Sequence, residues 1–465
     1  MTTEPISGSF RDPSGFLYYR NGILLRQINP CYADDFEHLI SSGLYDSLSN
    51  SGLLIKHEEA DLSKASTANA YKVIAPEVIP FISYPYEWSF GQLKDAALAT
   101  LEIQKQALDK SMSLKDASAY NIQFHNGRAV FIDTLSFEKY EKGTPWVAYR
   151  QFCQHFLAPL ALMAHVDVGL NQLFRTNIDG IPLDLATSLL PFSKRLNPTL
   201  SMHLWLHSRS QGKAHTQRDS AQAVSGSFSE TAFRGLLDNL RSGISKLNWK
   251  PGGSEWFDYY DANNNYGDTG LAEKEALVQK VVEKLRPNTV WDLGGNTGRF
   301  TRIAVKAGAK GVCFDIDPGC VESNYRYAKA NNETDILPLL LDLTNPSPGI
   351  GWANHERYSL LERGPVDLIL ALGLIHHLVI ANNVPFLKVA KMLGRLCEHL
   401  VIEFVPRGDS QIDKLLLNRR DVFTDYEAES FEGDFSQFFS IKDSIAIPDT
   451  HRTLYVMESL PNEST

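Results

Sequence analysis

The chain has 465 residues, more than one ordinary hydrophobic core organises, so two or three domains are expected. Apolar residues make up 43% and charged residues 22%, which excludes a disordered or fibrous chain. A formal charge of -10 argues against a broad electrostatic grip on nucleic acid, which needs clustered Lys and Arg, and leaves room only for a local basic groove.

Met1-Thr-Thr-Glu-Pro5 has neither the basic start nor the apolar core of a signal peptide. Two β-prone runs, Phe16-Leu-Tyr-Tyr19 and Ile23 to Ile28, are split by Asn21-Gly22, a strong hairpin signal. Tyr32 to Leu48 carries Phe36, Leu39, Ile40 and Leu44 at helical spacing, and Leu53 to Ile55 and Val78 to Ile82 read as strands. Ser89-Phe-Gly-Gln92 has capping-box spacing ahead of a long helix with Leu93, Ala97, Leu101 and Leu108 on one face. Then come Leu114-Lys-Asp116-Ala-Ser-Ala-Tyr-Asn121, a turn at Asn126-Gly127, and an apolar strand, Ala129 to Asp133.

Pro145 to Leu206 reads as helices with aromatic faces (Trp146, Tyr149, Phe152, Phe156). Its apolar stretch Phe156 to Met163 is too short to span a bilayer and holds a proline. Ser208 to Ser227 turns polar and loses its periodicity, as a linker or mobile loop does. A helix from Glu230 to Leu247, an aromatic and amide-rich block from Trp256 to Tyr266, and a helix from Leu271 to Leu285 follow. That block suits either a core or a lid. The expected division is an N-terminal α+β domain over 1–207, a polar linker over 208–228, and an α/β domain over 229–465. Five scattered cysteines (Cys31, Cys153, Cys313, Cys320, Cys397) lack Cys-x-x-Cys spacing, so a reduced cytoplasmic setting without structural zinc is expected.

The most informative stretch is Val290-Trp-Asp-Leu-Gly-Gly-Asn-Thr-Gly-Arg-Phe300. A short apolar strand runs into Gly294, Gly295 and Gly298, and then Phe300, Ile303, Ala304 and Ala307 recur at helical spacing. Strand, glycine turn and helix together open a Rossmann-like nucleotide site. A dinucleotide would lay pyrophosphate over this turn, where Asp292 would repel it. S-adenosylmethionine (SAM) has no phosphate, and its ammonium and sulfonium tolerate a carboxylate. The next strand, Gly311 to Phe314, ends in Asp315, the usual place for a ribose-hydroxyl acceptor, followed by Ile316. Asp317 reads as a helix cap. A third strand, Ile336 to Leu341, ends in Asp342-Leu343, placed to meet the adenine amino group. Asn296 is either a turn residue or a donor to the SAM carboxylate.

A fourth strand, Asp367 to Leu372, runs into Gly373-Leu-Ile-His376-His377-Leu378, and a fifth, His399 to Val405, follows a helix from Val384 to Cys397. Residues from about Gly267 to Leu460 thus resemble a class I SAM-dependent methyltransferase. Asp292-Leu-Gly-Gly-Asn-Thr-Gly298 is similar to that family's first motif, Phe314-Asp-Ile-Asp-Pro318 to its second, and Leu374 to Leu378 to the motif after its fourth strand. The resemblance implies methyl transfer to a small-molecule acceptor. His376 or His377 is a candidate to take a proton from it. Glu403, at the end of the fifth strand, is a candidate to bind an acceptor hydroxyl or amine. Each of the three could equally be a core, cap or surface residue.

The stretch around Asp116, Asn121 and Asp133 resembles the catalytic loop and metal strand of the protein-kinase-like superfamily. That resemblance would make Asp116 the base and Asn121 and Asp133 Mg²⁺ ligands. The pattern departs from it: there is no glycine-rich phosphate loop, no clear Val-Ala-x-Lys strand (Lys56 and Arg26 are nearby), and Thr134-Leu135 stands where Phe-Gly is expected. The plain alternative is an accessory domain in which Asp116 and Asn121 cap turns. End to end, the order is similar to the bacterial NoeA-type nodulation-protein group, through Tyr84-Pro-Tyr-Glu-Trp-Ser89, Phe131-Ile-Asp-Thr-Leu-Ser-Phe137 and Glu403-Phe-Val-Pro406. That group implies a methyltransferase and names no acceptor.

Overall fold

The computed structural model describes residues 3–205, 228–252, 267–417, 422 and 425–461. The chain divides into two compact units, 1–250 with 349–357 and 251–348 with 358–465. Residues 206–227, nearly all of the expected linker, and the aromatic block Trp256 to Tyr266 lie outside the described residues.

The N-terminal unit is α+β. Strands β1 (Thr3–Pro5), β2 (Gly15–Arg20), β3 (Ile23–Ile28), β4 (His57–Ala60) and β5 (Lys72–Pro76) form one antiparallel sheet in the order β1-β2-β3-β5-β4. The β2–β3 hairpin turns on Asn21 (φ 51) and Gly22 (φ 76), the paired positive φ values that an Asn-Gly turn supplies. Tyr32 to Leu48 is two helices, Ala33–Ser41 and Leu44–Asn50, because Gly43 (φ 74) takes a left-handed conformation between them. Leu53 to Ile55 is a single parallel bridge from Leu54 to Phe131 and not a strand. Val78 to Ile82 is irregular, since the strand lies earlier, in β5, and Pro76 and Pro80 have no N–H to extend a ladder.

The long helix is Phe90–Asp109, and its capping box is complete: Ser89 Oγ accepts from the Gln92 N–H at 3.3 Å while Gln92 Oε1 accepts from the Ser89 N–H at 2.9 Å. Short strands β6 (Met112–Leu114), β7 (Ile122–His125), β8 (Arg128–Phe131) and β9 (Phe137–Lys139) follow, paired β6 with β9 and β7 with β8. The helix Glu230–Lys246 belongs to this unit and not to the C-terminal one. Lys94 Nζ donates to the Ser245 and Leu247 carbonyls at 2.8 Å each, and Arg241 and Arg234 pair with Glu102 (2.6 Å) and Asp109 (2.8 Å). The expected boundary at 228 therefore moves to 250, because those partners lie on Phe90–Asp109, far away in sequence.

The C-terminal unit is an α/β domain built on one Rossmann-like sheet. Strands β10 (Thr289–Leu293), β11 (Lys310–Asp315), β12 (Ile336–Leu340), β13 (Val366–Ala371), β14 (Cys397–Phe404), β15 (Phe439–Ala446) and β16 (Thr453–Ser459) stand in the order β12-β11-β10-β13-β14-β16-β15. The first five are parallel, and β16 enters antiparallel between β14 and β15. The helix Gly267–Leu285 lays Val278 and Val282 against Val290, Leu368 and Val401, and Phe300 and Ala304 close the same core. The helix expected over Val384 to Cys397 is shorter, Phe386–Leu393, bounded by Pro385 and Gly394. Among the described residues no helix is long and apolar enough to cross a membrane.

Candidate active site

Parallel register brings the C-terminal ends of β10, β11, β12 and β13 to one edge of the sheet, where the strand order reverses about β10. A cavity of about 240 Å³ opens there. Gly294 (φ 74) and Asn296 (φ 51) line it from the turn. Gly295 and Gly298 serve packing beneath it: a Cβ at Gly295 would fall 2.5 Å from Cys313 Sγ, and one at Gly298 would fall 2.6 Å from Asn324 Nδ2.

Every N–H of the turn is engaged within the protein. Gly294 and Gly295 donate to the Phe314 carbonyl at 2.9 Å, and Asn296 donates to Asp315 Oδ2 at 2.8 Å. Thr297 donates to Asn296 Oδ1 and Gly298 to the Gly295 carbonyl, both at 2.8 Å.

The acids separate by position. Asp315 and the exposed Ile316 line the cavity, and Asp315 Oδ1 accepts from the Asp317 N–H at 2.8 Å. Burial pushes the Asp315 carboxyl up to about 6. Asp292 lies under the turn, 1% exposed and off the cavity wall, with Oδ2 accepting from Thr301 Oγ1 at 2.7 Å. Its burial likewise lifts it to about 6. Asp317 caps the helix Pro318–Ala330. Asp342 and Leu343 line the cavity, and Asp342 Oδ1 accepts from the N–H and hydroxyl of Thr344 at 2.8 and 2.6 Å.

Across β10, the β13 end contributes Leu372, Leu374, His376 and His377. A π-helical turn, His377–Ala381, sets the two imidazoles with ring centroids 4.1 Å apart. His376 is 2% exposed, and neither ring nitrogen has a hydrogen-bond partner. Burial, then His377, Arg452 and Lys274, hold it well below the usual imidazole value, and burial and Arg452 bring His377 down to about 4.

Glu403 is fully buried and off the cavity wall. Lys274 Nζ reaches its Oε2 at 2.6 Å and Arg452 Nη1 its Oε1 at 3.2 Å, while Arg452 Nε reaches Asp409 Oδ2 at 2.7 Å. Lys274 itself lines the cavity, as do Asn382 and Gln411. Sequence alone missed these three. A lone helical lysine reads as solvated, and its acid partner lies on β14.

In the N-terminal unit, Asp116 Oδ1 accepts from the Ser118 N–H at 2.9 Å and from Gln151 Nε2 at 2.8 Å. Asn121 Nδ2 donates to Ser136 Oγ at 3.3 Å. Asp133 is bound by the Arg26 guanidinium and the Ser136 hydroxyl. Burial raises its pKa, but Arg26 and Ser136 outweigh that and hold it below the usual carboxylate range. The Asp133 carboxylate that would ligate Mg²⁺ in the kinase-like reading is thus paired with Arg26, one of the two cations near the expected lysine position.

No protein-family model matches the chain. Among solved structures it is similar to magnesium protoporphyrin IX methyltransferase from Synechocystis PCC 6803 (15% identity, 43% of this chain and 91% of that one, TM-score 0.31). It is also similar to the N-methyltransferase NodS from Bradyrhizobium japonicum WM9 (10%, 42% and 99%, TM-score 0.30) and to the bifunctional kinase-methyltransferase WbdD (15%, 48% and 47%, TM-score 0.30). Likenesses of this degree assign no chemistry. The nodulation protein NoeA of Rhizobium meliloti (strain 1021) is 35% identical over 458 residues, covering 97% of this chain and 96% of the relative, so the similarity extends over both units. The chain belongs to the NoeA nodulation-protein family.

Proposed function

We infer that the chain is a SAM-dependent methyltransferase acting on a small-molecule acceptor. The observation that carries this is the turn. All five N–H groups from Gly294 to Gly298 already donate to protein acceptors, so that stretch offers no nest for pyrophosphate, and a buried carboxylate lies beneath it. A phosphate-free, cationic adenosine compound suits that surface. SAM, when bound, supplies an electrophilic methyl group on sulfur. Asp315 would accept from the ribose hydroxyls, Ile316, Asp342 and Leu343 would hold the adenine end, and Gly294 and Asn296 would meet the methionine end. Asp292 would act through the turn it supports. Methyl transfer is an in-line displacement, so the protein's main tasks are orientation and exclusion of water.

The charge of -10 gives no support to a nucleic-acid acceptor. All five cysteines are free, consistent with a reducing cytoplasm. A phosphotransferase reading of the N-terminal unit is disfavoured by the lack of a glycine-rich phosphate loop in its sequence. The test is incubation of the full chain with isotopically methyl-labelled SAM and extracted metabolites, read by mass spectrometry. A labelled small molecule is expected. Bound SAM with no labelled product would favour a non-catalytic, SAM-sensing protein.

A further inference from the structure

The acceptor half of the cavity differs chemically from the adenosine half. Asp315 and Asp342 stand on the β11–β12 side of β10, whereas Leu372, Leu374, His376, His377 and Gln411 come from β13 and beyond β14. Among the described residues lining that second half there is no carboxylate to receive an ammonium group. The one lining cation, Lys274, is tied to Glu403 at 2.6 Å and is not presented to an anionic acceptor. What remains is apolar wall, two amides and a pair of imidazoles. His376 is the outlier: it is 2% exposed, lines the cavity, and has no partner at Nδ1 or Nε2, an arrangement that is unfavourable unless a ligand completes it.

Resting on the methyltransferase reading, we propose that the acceptor is an uncharged, hydroxyl-bearing small molecule whose O–H donates to His376, and that His376, rather than His377 or Glu403, receives its proton. The hydroxyl oxygen forms the new O–CH₃ bond as the S–C bond breaks and sulfur keeps the electron pair. The hydroxyl proton passes to the imidazole, so the single positive charge moves from sulfur to His376 and charge balances. The ring is neutral near pH 7 and can therefore accept a proton, and the oxygen becomes strongly acidic as its bond to carbon forms, so even a weak base can take it. Lys274 and Arg452, which depress His376, are themselves paired with Glu403 and Asp409, so the surroundings are close to neutral overall. A cationic amine would add a second positive charge beside the sulfonium with no carboxylate facing it in this half, whereas a neutral hydroxyl adds none.

The experiment uses the full chain loaded with S-adenosylhomocysteine, with matched panels of uncharged alcohols and phenols, primary amines, and carboxylates as probes. Calorimetry on wild type and His376→Ala is followed by transfer from labelled SAM to the same panels. Expected are binding and label in the hydroxyl panel only. His376→Ala should weaken hydroxyl binding about tenfold and turnover about a hundredfold, with SAM affinity unchanged and turnover partly restored by added imidazole. His376→Gln, which retains a polar side chain, should fail to restore turnover. Label in the amine or carboxylate panel, label in no panel with SAM bound, or wild-type turnover in His376→Ala would overturn the proposal. Failure to bind SAM at all would instead remove the methyltransferase reading beneath it.

Discussion

Lowering the pH through Asp315 should release the donor. Its two carboxylate oxygens take the N–H groups of Asn296 and Asp317 at 2.8 Å each, and the residue lines the cavity. Burial places its pKa at about 6. One unit below that, the neutral acid outnumbers the carboxylate about ten to one, so affinity for S-adenosylhomocysteine should fall about tenfold (~1.4 kcal/mol) between roughly pH 7 and pH 5. Binding favours the ionised form, so affinity is present above about 6 and lost as pH falls through it. The ligand-free protein responds oppositely. Asp315 is a stronger proton acceptor folded than unfolded, so its contribution to stability is full below its ordinary 3.8 and declines as pH rises to about 6. Titration calorimetry across this range measures the first effect, and the difference in Tm between wild type and Asp315→Asn measures the second. Asp292 shares the same range from beneath the turn, which makes Asp315→Asn the necessary control. An affinity step that persists unchanged in Asp315→Asn would refute the assignment of the ribose contact to Asp315.

Gly295→Ala would set a Cβ 2.5 Å from Cys313 Sγ and 2.8 Å from the Asp292 carboxylate; a loss of ~1–3 kcal/mol in urea denaturation is expected, and no loss would mean the turn yields. Lys274→Met takes the ammonium away from the buried Glu403 carboxylate and should cost ~3 kcal/mol by the same method, partly recovered in the double variant with Glu403→Gln. In the N-terminal unit, ATP with Mg²⁺ should give no resolvable thermal shift in wild type, because its sequence lacks a glycine-rich phosphate loop; a shift abolished by Asp133→Asn would restore the phosphotransferase reading.

What was legible in the sequence was what neighbouring residues decide. Asn21-Gly22 and Asn126-Gly127 make their hairpin turns, Ser89 and Gln92 cap each other, and Asp317 caps its helix, each within a few residues. The glycine turn followed by Asp315 was readable because strand, turn and strand-end acid have fixed spacing. Remote partners were not. Glu403 obeys the strand-end rule, yet meets Lys274 from 129 residues earlier and Arg452 from 49 later. The hairpin of β15 and β16 carried no motif. Segment 349–357, which joins the N-terminal unit through Glu356 on Arg11 at 2.6 Å, had no local sign of leaving the sheet domain. Gly43 divided a helix whose apolar spacing continued across it. The burial of Asp292 shows the same limit, since spacing placed it beside the turn and only packing put it beneath.

The measurement bearing most directly on the donor site is calorimetric competition on the full chain between SAM and nicotinamide adenine dinucleotide. One SAM per chain, bound in the micromolar range and undisturbed by excess dinucleotide, is the expected result. Heat from the dinucleotide with none from SAM would mean that the turn's amides accept phosphate after all, contradicting the account.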